Sequence, residues 1–250
     1  MDKMKIKYSV ISEKGKRPEN QDAVFAGAYE EYTVFLVADG MGGHSHGEIA
    51  SAAVRDAIKE WWETILRMDQ MPDIEDAETQ CQDAIQRVNK ELYQKFASSG
   101  VIVGTTLVLL LIWQNKYAAL SVGDSRIYKR EGRELACITK DDVWENQIEI
   151  KEKMTDEQVA NDPRLGKLIA AIGVHEDMEI HHYCGDLETI EMFLLCSDGV
   201  YKYCNNNKMR RIICGITGCL NPEKMNKIVR KTVEKNETKD NFTSIICKCI

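Results

Sequence analysis

Four aspartates stand at the ends of apolar runs. Asp39 follows TVFLVA, Asp124 follows AALSVG, Asp198 follows MFLLCS, and Asp240 immediately precedes an apolar segment beginning Asn241-Phe242. Strand termini gather along one edge of a sheet, so these carboxylates can converge. Within about 5 Å of one another they repel by more than about 1 kcal/mol each unless cations neutralise them. A bound metal resolves that conflict, and an all-oxygen donor set without a His or Cys quartet suits Mg²⁺ or Mn²⁺ rather than structural zinc. Small residues accompany the acids. Asp39-Gly40-Met41-Gly42-Gly43 lets the backbone turn sharply and bring a carbonyl to a metal, and Asp198-Gly199 repeats the device. Upstream, Arg17-Pro18-Glu19-Asn20-Gln21-Asp22 places a guanidinium and a carboxylate ahead of a strand. An arginine beside a metal cluster is a natural bidentate partner for phosphate or carboxylate.

Taken singly, each feature has a blander reading. Asp-Gly is usually a turn, and Gly-Met-Gly-Gly lacks the spacing and lysine of a P-loop. His44 and His46 read as loop histidines in solvent ahead of a metal-binding pair, and His181-His182 are treated alike. Cys214 and Cys219 have no second pair of zinc ligands near them, and Cys247 and Cys249 are expected to point to opposite faces of a strand. No cysteine is read as opening a phosphate loop of the Cys-x5-Arg kind, which leaves covalent thiol catalysis without support.

The elements that must hold these residues are legible as periodic runs. Thr33 to Ala38, Thr105 to Trp113, Lys116 to Val122 and Met192 to Cys196 are short, apolar and bounded by turn residues, as buried strands are. The second and third form a hairpin across Gln114-Asn115. One amphipathic helix carries Ile49, Ala53, Ala57, Trp61 and Ile65 inward, and another carries Ala77, Cys81, Ile85, Val88 and Leu92. A third starts at the cap Asn221-Pro222 and buries Met225, Ile228, Val229 and Val233. Phe242 to Ile250 alternates like a closing strand. Strands joined by hairpins, then helix pairs, then more strands predict an α+β fold with antiparallel sheets. Lys140 to Lys167, acidic and lysine-rich without a period, reads as an excursion over the core.

The chain has 250 residues, 33 basic against 40 acidic, for a net charge of −7. That balance argues against nucleic acid or an anionic membrane as the main partner. The longest apolar run, Val101 to Trp113, is 13 residues, short of the roughly 20 needed to cross a bilayer. No export signal is read at the N-terminus, so a cytoplasmic location is expected. The nine cysteines follow no framework spacing and are expected to be reduced, mostly buried thiols.

Six motifs in order now carry a resemblance. Arg17 with Asn20-Gln21-Asp22, Asp39 to Gly43 with Gly47-Glu48-Ile49-Ala50-Ser51, Gly104-Thr105-Thr106, Gly123-Asp124-Ser125-Arg126, Ser197-Asp198-Gly199 and Asp240-Asn241-Phe242-Thr243 together resemble the protein phosphatase 2C-like family, in its bacterial branch. The members are metal-dependent serine/threonine phosphatases. The resemblance implies a single catalytic domain over 1–250, built as a central antiparallel β-sandwich flanked by α-helices on both sides in four layers, α/β/β/α. Residues 140–170 correspond to its variable flap. It implies two divalent cations, Mn or Mg, bridged by Asp39, with the Gly40 carbonyl as a further donor and Asp198 and Asp240 on one of them. Asp22 would hold metal-bound water, Asp124 with Asp198 a weaker third position, and Arg17 the substrate phosphate. Phosphoserine and phosphothreonine monoesters would be hydrolysed by a metal-bridging hydroxide with no phosphoenzyme, Asp39, Asp198 and Asp22 being the catalytic carboxylates. Met41 departs from the histidine of many eukaryotic relatives, and Asp142 from the histidine common after the first Asp of that motif. The implied partners are phosphorylated proteins and a serine/threonine kinase, with the phosphatase a monomer. Two alternatives on the same fold are a catalytically silent phosphoprotein-binding module and a small-molecule phosphate monoesterase.

Overall fold

Long apolar runs rich in Leu, Val and Ile cannot remain at a surface, and this chain buries them by stacking two antiparallel sheets and covering both outer faces. A computed structural model describes residues 5–42, 46–98, 100–215 and 221–250. One sheet has the order β1 (Ile6–Glu13), β11 (Phe242–Cys249), β10 (Ile190–Cys196), β7 (Arg126–Glu131), β8 (Glu134–Cys137). The other runs β2 (Asp22–Tyr29), β3 (Tyr32–Gly42), β5 (Leu107–Trp113), β6 (Lys116–Val122), β9 (His181–Asp186), and β4 (Val103–Thr105) pairs the far end of β3.

Alternation along β3 shows the layering. Phe35 and Val37 face the other sheet, where Phe193, Leu195 and Ile245 meet them, while Val34, Leu36 and Ala38 face helices. Helices α1 (Gly47–Ile65) and α2 (Ile74–Phe96) cover that outer face. Helices α6 (Asn206–Cys214) and α7 (Pro222–Lys235) cover the outer face of the first sheet. The result is the four-layer α/β/β/α arrangement. Between β10 and α6 lies the one-turn helix α5 (Asp198–Tyr201), and within 140–170 lie α3 (Ile148–Lys153) and α4 (Asp156–Ala160).

Several sequence expectations meet the structure directly. The hairpin turns at Gln114, whose φ of 53° is the left-handed conformation a tight turn demands. The α2 stripe is buried as read, and Asn221 caps α7 by accepting from the Lys224 N–H at 2.9 Å. The face of α1 is rotated from the reading: Ala50, Val54, Ile58, Trp61 and Ile65 are buried, whereas Ile49 is 36% exposed. Both stripes are apolar, and packing chose the one that brings Ile58 and Trp62 onto β2 and β3. Cys247 and Cys249, two apart on β11, share the inter-sheet face instead of diverging. Cys137 is exposed rather than buried; the described cysteines are all free thiols, and Cys219 lies outside the described residues. No helix among the described residues is long and apolar enough to cross a membrane.

Phe193 anchors the inter-sheet layer at 1% exposure, its ring 5.2 Å from that of Tyr117. Phe193→Ala is expected to lower unfolding free energy by about 3–5 kcal/mol, read as a shift of the urea midpoint with native far-UV circular dichroism retained before the transition.

Candidate metal centre

Antiparallel register brings the first two acids together. Asp22 and Asp39 are direct partners across β2 and β3. Strand β3 runs on through Asp39 and does not stop before it, and its backbone there is clamped: the Asp39 N–H donates to Thr106 Oγ1 at 3.1 Å, and its carbonyl accepts from the Thr106 N–H at 2.9 Å. At Gly40 the strand presses against the start of α1. A Cβ there would overlap the Gly47 carbonyl and stand 2.6 Å from the Gln21 carbonyl oxygen, so only glycine fits.

The remaining acids arrive from the turns. Gly123, at φ +90°, turns the chain out of β6 and delivers Asp124, 4% exposed. Asp198 opens α5 behind Ser197, whose hydroxyl donates to Asp22 Oδ2 at 2.9 Å. Asp240 precedes β11, and its Oδ2 accepts from an Arg17 Nη at 3.0 Å. Asn241 is the crosspiece: its Nδ2 donates to the carbonyls of Lys14 and Glu19 at 2.9 and 2.8 Å, and its Oδ1 accepts from the Gln21 N–H at 2.9 Å. One side chain thereby fixes the loop that carries Arg17 and the strand start that carries Asp22.

A cleft of about 260 Å³ is lined by Arg17, Asp39, Gly40, Asp124, Asp198 and Asp240, together with Gln21, Met41, Thr106 and Leu168. Asp22 lies outside that lining, behind Asp39. A larger groove of about 450 Å³ between α1 and α2 shows that volume does not single out the site; converging charge does.

That charge is under strain. Burial first, then the neighbouring Asp22, Asp198, Asp124 and Asp240, pushes the Asp39 carboxyl well above its usual value. Burial, with Asp198 and Asp240, raises Asp22 to about 7 against the opposing hydrogen bonds of Thr243 and Ser197. Burial and Asp198 raise Asp124 to about 6, opposed by Lys202 and the Tyr201 hydroxyl. Two basic side chains stand among the acids. Arg17 pairs with Asp240, and Lys202 Nζ lies 2.5 Å from Asp198 Oδ2 and 3.8 Å from Asp124 Oδ2. Neither Asp22 nor Asp39 has an ion pair among the described residues, and the buried Asp22 Oδ1 has no hydrogen-bond partner at all. No three His, Cys, Asp or Glu side chains among the described residues are already closed around one point. Hard oxygen donors, an orphaned buried carboxylate oxygen and a surplus of negative charge nevertheless suit divalent cations.

The structure thus gathers Arg17, Asp22, Asp39, Gly40, Asp124, Asp198 and Asp240 at one end of the sandwich. Sequence reading missed Lys202, Ser197 and the crosspiece role of Asn241; Lys202 had a signal in its i, i+4 spacing from Asp198. It also left Asp141 and Asp142 unassigned. Asp141 grips Arg126 through two bonds of 3.0 and 2.6 Å, and Asp142 accepts the Gly123 N–H at 2.9 Å while pairing with His181 Nε2 at 2.7 Å. Both are struts under the Asp124 turn. His46 sets its ring edge-on to Phe96 at the start of α1, and Gly43 and His44 lie outside the described residues.

One sequence reading is corrected outright. Cys81 to Arg87 and Cys204 to Arg210 both spell Cys-x5-Arg. Neither is a phosphate loop: the first lies within α2, and the second runs into α6. Both thiols are buried, and burial pushes Cys204 up to about 11, the wrong direction for a nucleophile.

Residues 13–234 match the family model described as protein phosphatase 2C. "Serine/threonine phosphatase stp" of Listeria monocytogenes is 34% identical over 183 residues, covering 72% of this chain and 71% of that protein. The solved serine/threonine phosphatase Stp1 of Staphylococcus aureus superposes with a TM-score of 0.84 at 25% identity, covering 98% of this chain and 95% of that one. The catalytic domain of the serine/threonine protein phosphatase PstP, solved with two manganese ions, shares the fold at a TM-score of 0.80 and 23% identity, covering 99% of each chain. The chain belongs to the protein phosphatase 2C family.

The raised carboxylates set a pH dependence. An unfolded-state aspartate titrates near 3.9, so the metal-free native state holds extra protons between about pH 4 and 7, and stability falls as pH rises through that window. Asp39→Asn removes the most crowded charge. In EDTA the variant is expected to melt at the wild-type temperature near pH 4 and progressively above it towards pH 8. A constant difference across that range of thermal melts would contradict the repulsion.

Proposed function

We propose that this chain is a metal-dependent protein serine/threonine phosphatase that hydrolyses phosphoserine and phosphothreonine monoesters. The observation that carries this reading is the convergence of four carboxylates, Asp39, Asp124, Asp198 and Asp240, on one cleft that Arg17 also lines, with a fifth, Asp22, buried beside Asp39. Asp39, the Gly40 carbonyl, Asp198 and Asp240 would hold two divalent cations, Mn or Mg. Asp22, hydrogen-bonded by Ser197, would orient water behind Asp39. When bound, the cations activate water near neutral pH and withdraw charge from the phosphoryl oxygens.

Everything else falls to the chain's own groups. The Arg17 side chain is 53% exposed and spends one Nη on Asp240, which leaves other N–H donors for the equatorial oxygens of a phosphate. Asp240 thereby aims the guanidinium. Met41, on the cleft wall, has no proton to give, so the proton for the leaving alkoxide comes from another group. Neither Cys81 nor Cys204 reaches the cleft, which supports direct hydrolysis without a phosphoenzyme.

Residues 140–170 act as a flap in this reading. Their root is tied down by Asp142, Val143 and Trp144, all buried, and Leu168 from their far end lines the cleft. A flap segment beside the cleft gives a phosphorylated protein chain a surface to lie against, which a small ester would not need. Loss of a carboxylate would mark a silent phosphoprotein-binding module, and all five are in place. Phosphoprotein substrates in turn require a serine/threonine kinase to supply them.

Hydrolysis of a phosphothreonine peptide with Mn²⁺, Mg²⁺ or EDTA tests the proposal. Phosphate release is expected with cation and absent with EDTA. Asp39→Asn and Asp198→Asn should each lower kcat by about 10²-fold or more. Arg17→Ala should lower kcat/KM by about 10- to 100-fold, mostly through KM, as loss of a charge-assisted contact predicts. Cation binding without turnover of peptide would sink the phosphatase reading in favour of the binding module, and turnover of aryl phosphate alone would favour the small-molecule esterase.

A further inference from the structure

The basic groups around the cleft are unevenly placed. Arg17 serves Asp240 at the rim, Asp22 and Asp39 have no ion pair among the described residues, and Lys202 alone serves the edge formed by Asp124 and Asp198. Asp198 and Lys202 open and follow the single turn of α5, an i, i+4 spacing that sets both on one side of it.

The ammonium bonds Asp198 and faces Asp124 at 3.8 Å, and its neighbours hold the backbone from which it reaches. Next to it in sequence, Tyr201 donates its hydroxyl to Asp124 Oδ2 at 3.1 Å. The Arg126 guanidinium stacks on the Tyr201 ring with its carbon 3.7 Å from the centroid, and Arg126 is itself clamped by Asp141. That column fixes the end of α5, and with it the point from which Lys202 reaches the two acids. The ammonium is therefore tethered within reach of both acids rather than drawn from solution. Asp124, 4% exposed, has one oxygen engaged by the Tyr201 hydroxyl and faced by the ammonium.

Two carboxylates this near each other call for a positive charge, and Lys202 already provides it. We propose that Lys202 Nζ is a built-in cation that holds the position between Asp124 and Asp198, so that the cleft takes up two divalent cations and excludes a third. The inference rests on the two-cation reading above. A free ion entering this position must displace a tethered ammonium whose effective concentration is in the millimolar range or higher, which excludes weak occupancy. Lys202 bonds Oδ2 of Asp198 and leaves Oδ1 for the cation pair.

Counting Mn²⁺ ions by isothermal calorimetry, with free Mn²⁺ followed by electron paramagnetic resonance, decides the matter. Wild type is expected to bind two ions. Lys202→Ala and Lys202→Asn are expected to bind three, the third at least 10-fold more weakly than the others, and Lys202→Arg to bind two. In EDTA at pH 7.5 the Ala and Asn variants should melt below wild type and gain more from saturating Mn²⁺, because Asp124 and Asp198 then face each other without a counter-charge. Wild type binding three ions, or both neutral variants binding only two, would overturn the inference while leaving the two-cation reading intact. Wild type binding fewer than two would overturn that reading and the inference with it.

Discussion

Four carboxylates line one small cleft with a fifth, Asp22, buried beside Asp39, and their mutual repulsion is the constraint around which the rest of the molecule is arranged. Like charges at these separations drive a chain apart or force protons onto the acids, and the elevated Asp22, Asp39 and Asp124 show the second response. What prevents the first is the sandwich. Asp22 and Asp39 sit on paired strands, Asp198 and Asp240 on chain segments bracketing a second pair, and those strands are welded by the apolar layer around Phe35, Phe193 and Ile245. The core holds in place a site that would not assemble by itself, a trade common where function needs strain.

Steric economy at the glycines gives the site its precision. Gly40 lets β3 touch the first turn of α1, and Gly199 lets α5 touch the carbonyl of Asn241, where a Cβ would overlap it. Each contact fixes the residue beside it: Asp39 next to Gly40, Asp198 next to Gly199. Asn241 then ties the second of these contacts to the Arg17 loop. Acids, guanidinium and backbone carbonyl are thus referenced to one another through backbone contacts that tolerate little movement, and metal coordination requires that tolerance.

The site was more legible in the sequence than the fold. Aspartates after apolar runs and glycines beside them are local signals, and all the acids named from them, with Arg17, gather at the same end of the sandwich. The elements left unread, β1, β7, β8, β9 and α6, are partly exposed or mixed in composition; β9, for example, alternates half-buried and exposed residues and contains Gly185. Their identity comes from pairing with distant partners, as β1 does along the whole of β11, and no local window carries that. The face of α1 was misread because two adjacent stripes are both apolar. Cys-x5-Arg illustrates the reverse hazard: the spelling occurs twice, yet helical geometry and burial deny it any chemistry.

The two basic groups at the cleft differ in a way that their surroundings explain. Arg17 is on an irregular loop, half-exposed, and joined to its acid at the rim, so it can turn towards a phosphate without unpacking anything. Lys202 is equally exposed, but it follows a helical turn braced by the Arg126 and Tyr201 stack, and its Nζ stands over Asp198 and Asp124. Burial opposes its charge, and Asp198, Asp124 and Asp39 more than restore it. The two cations thus stand differently, one on an irregular loop at the rim and the other beside the acids at a helix end, a division set by loop against helix rather than by the charge itself.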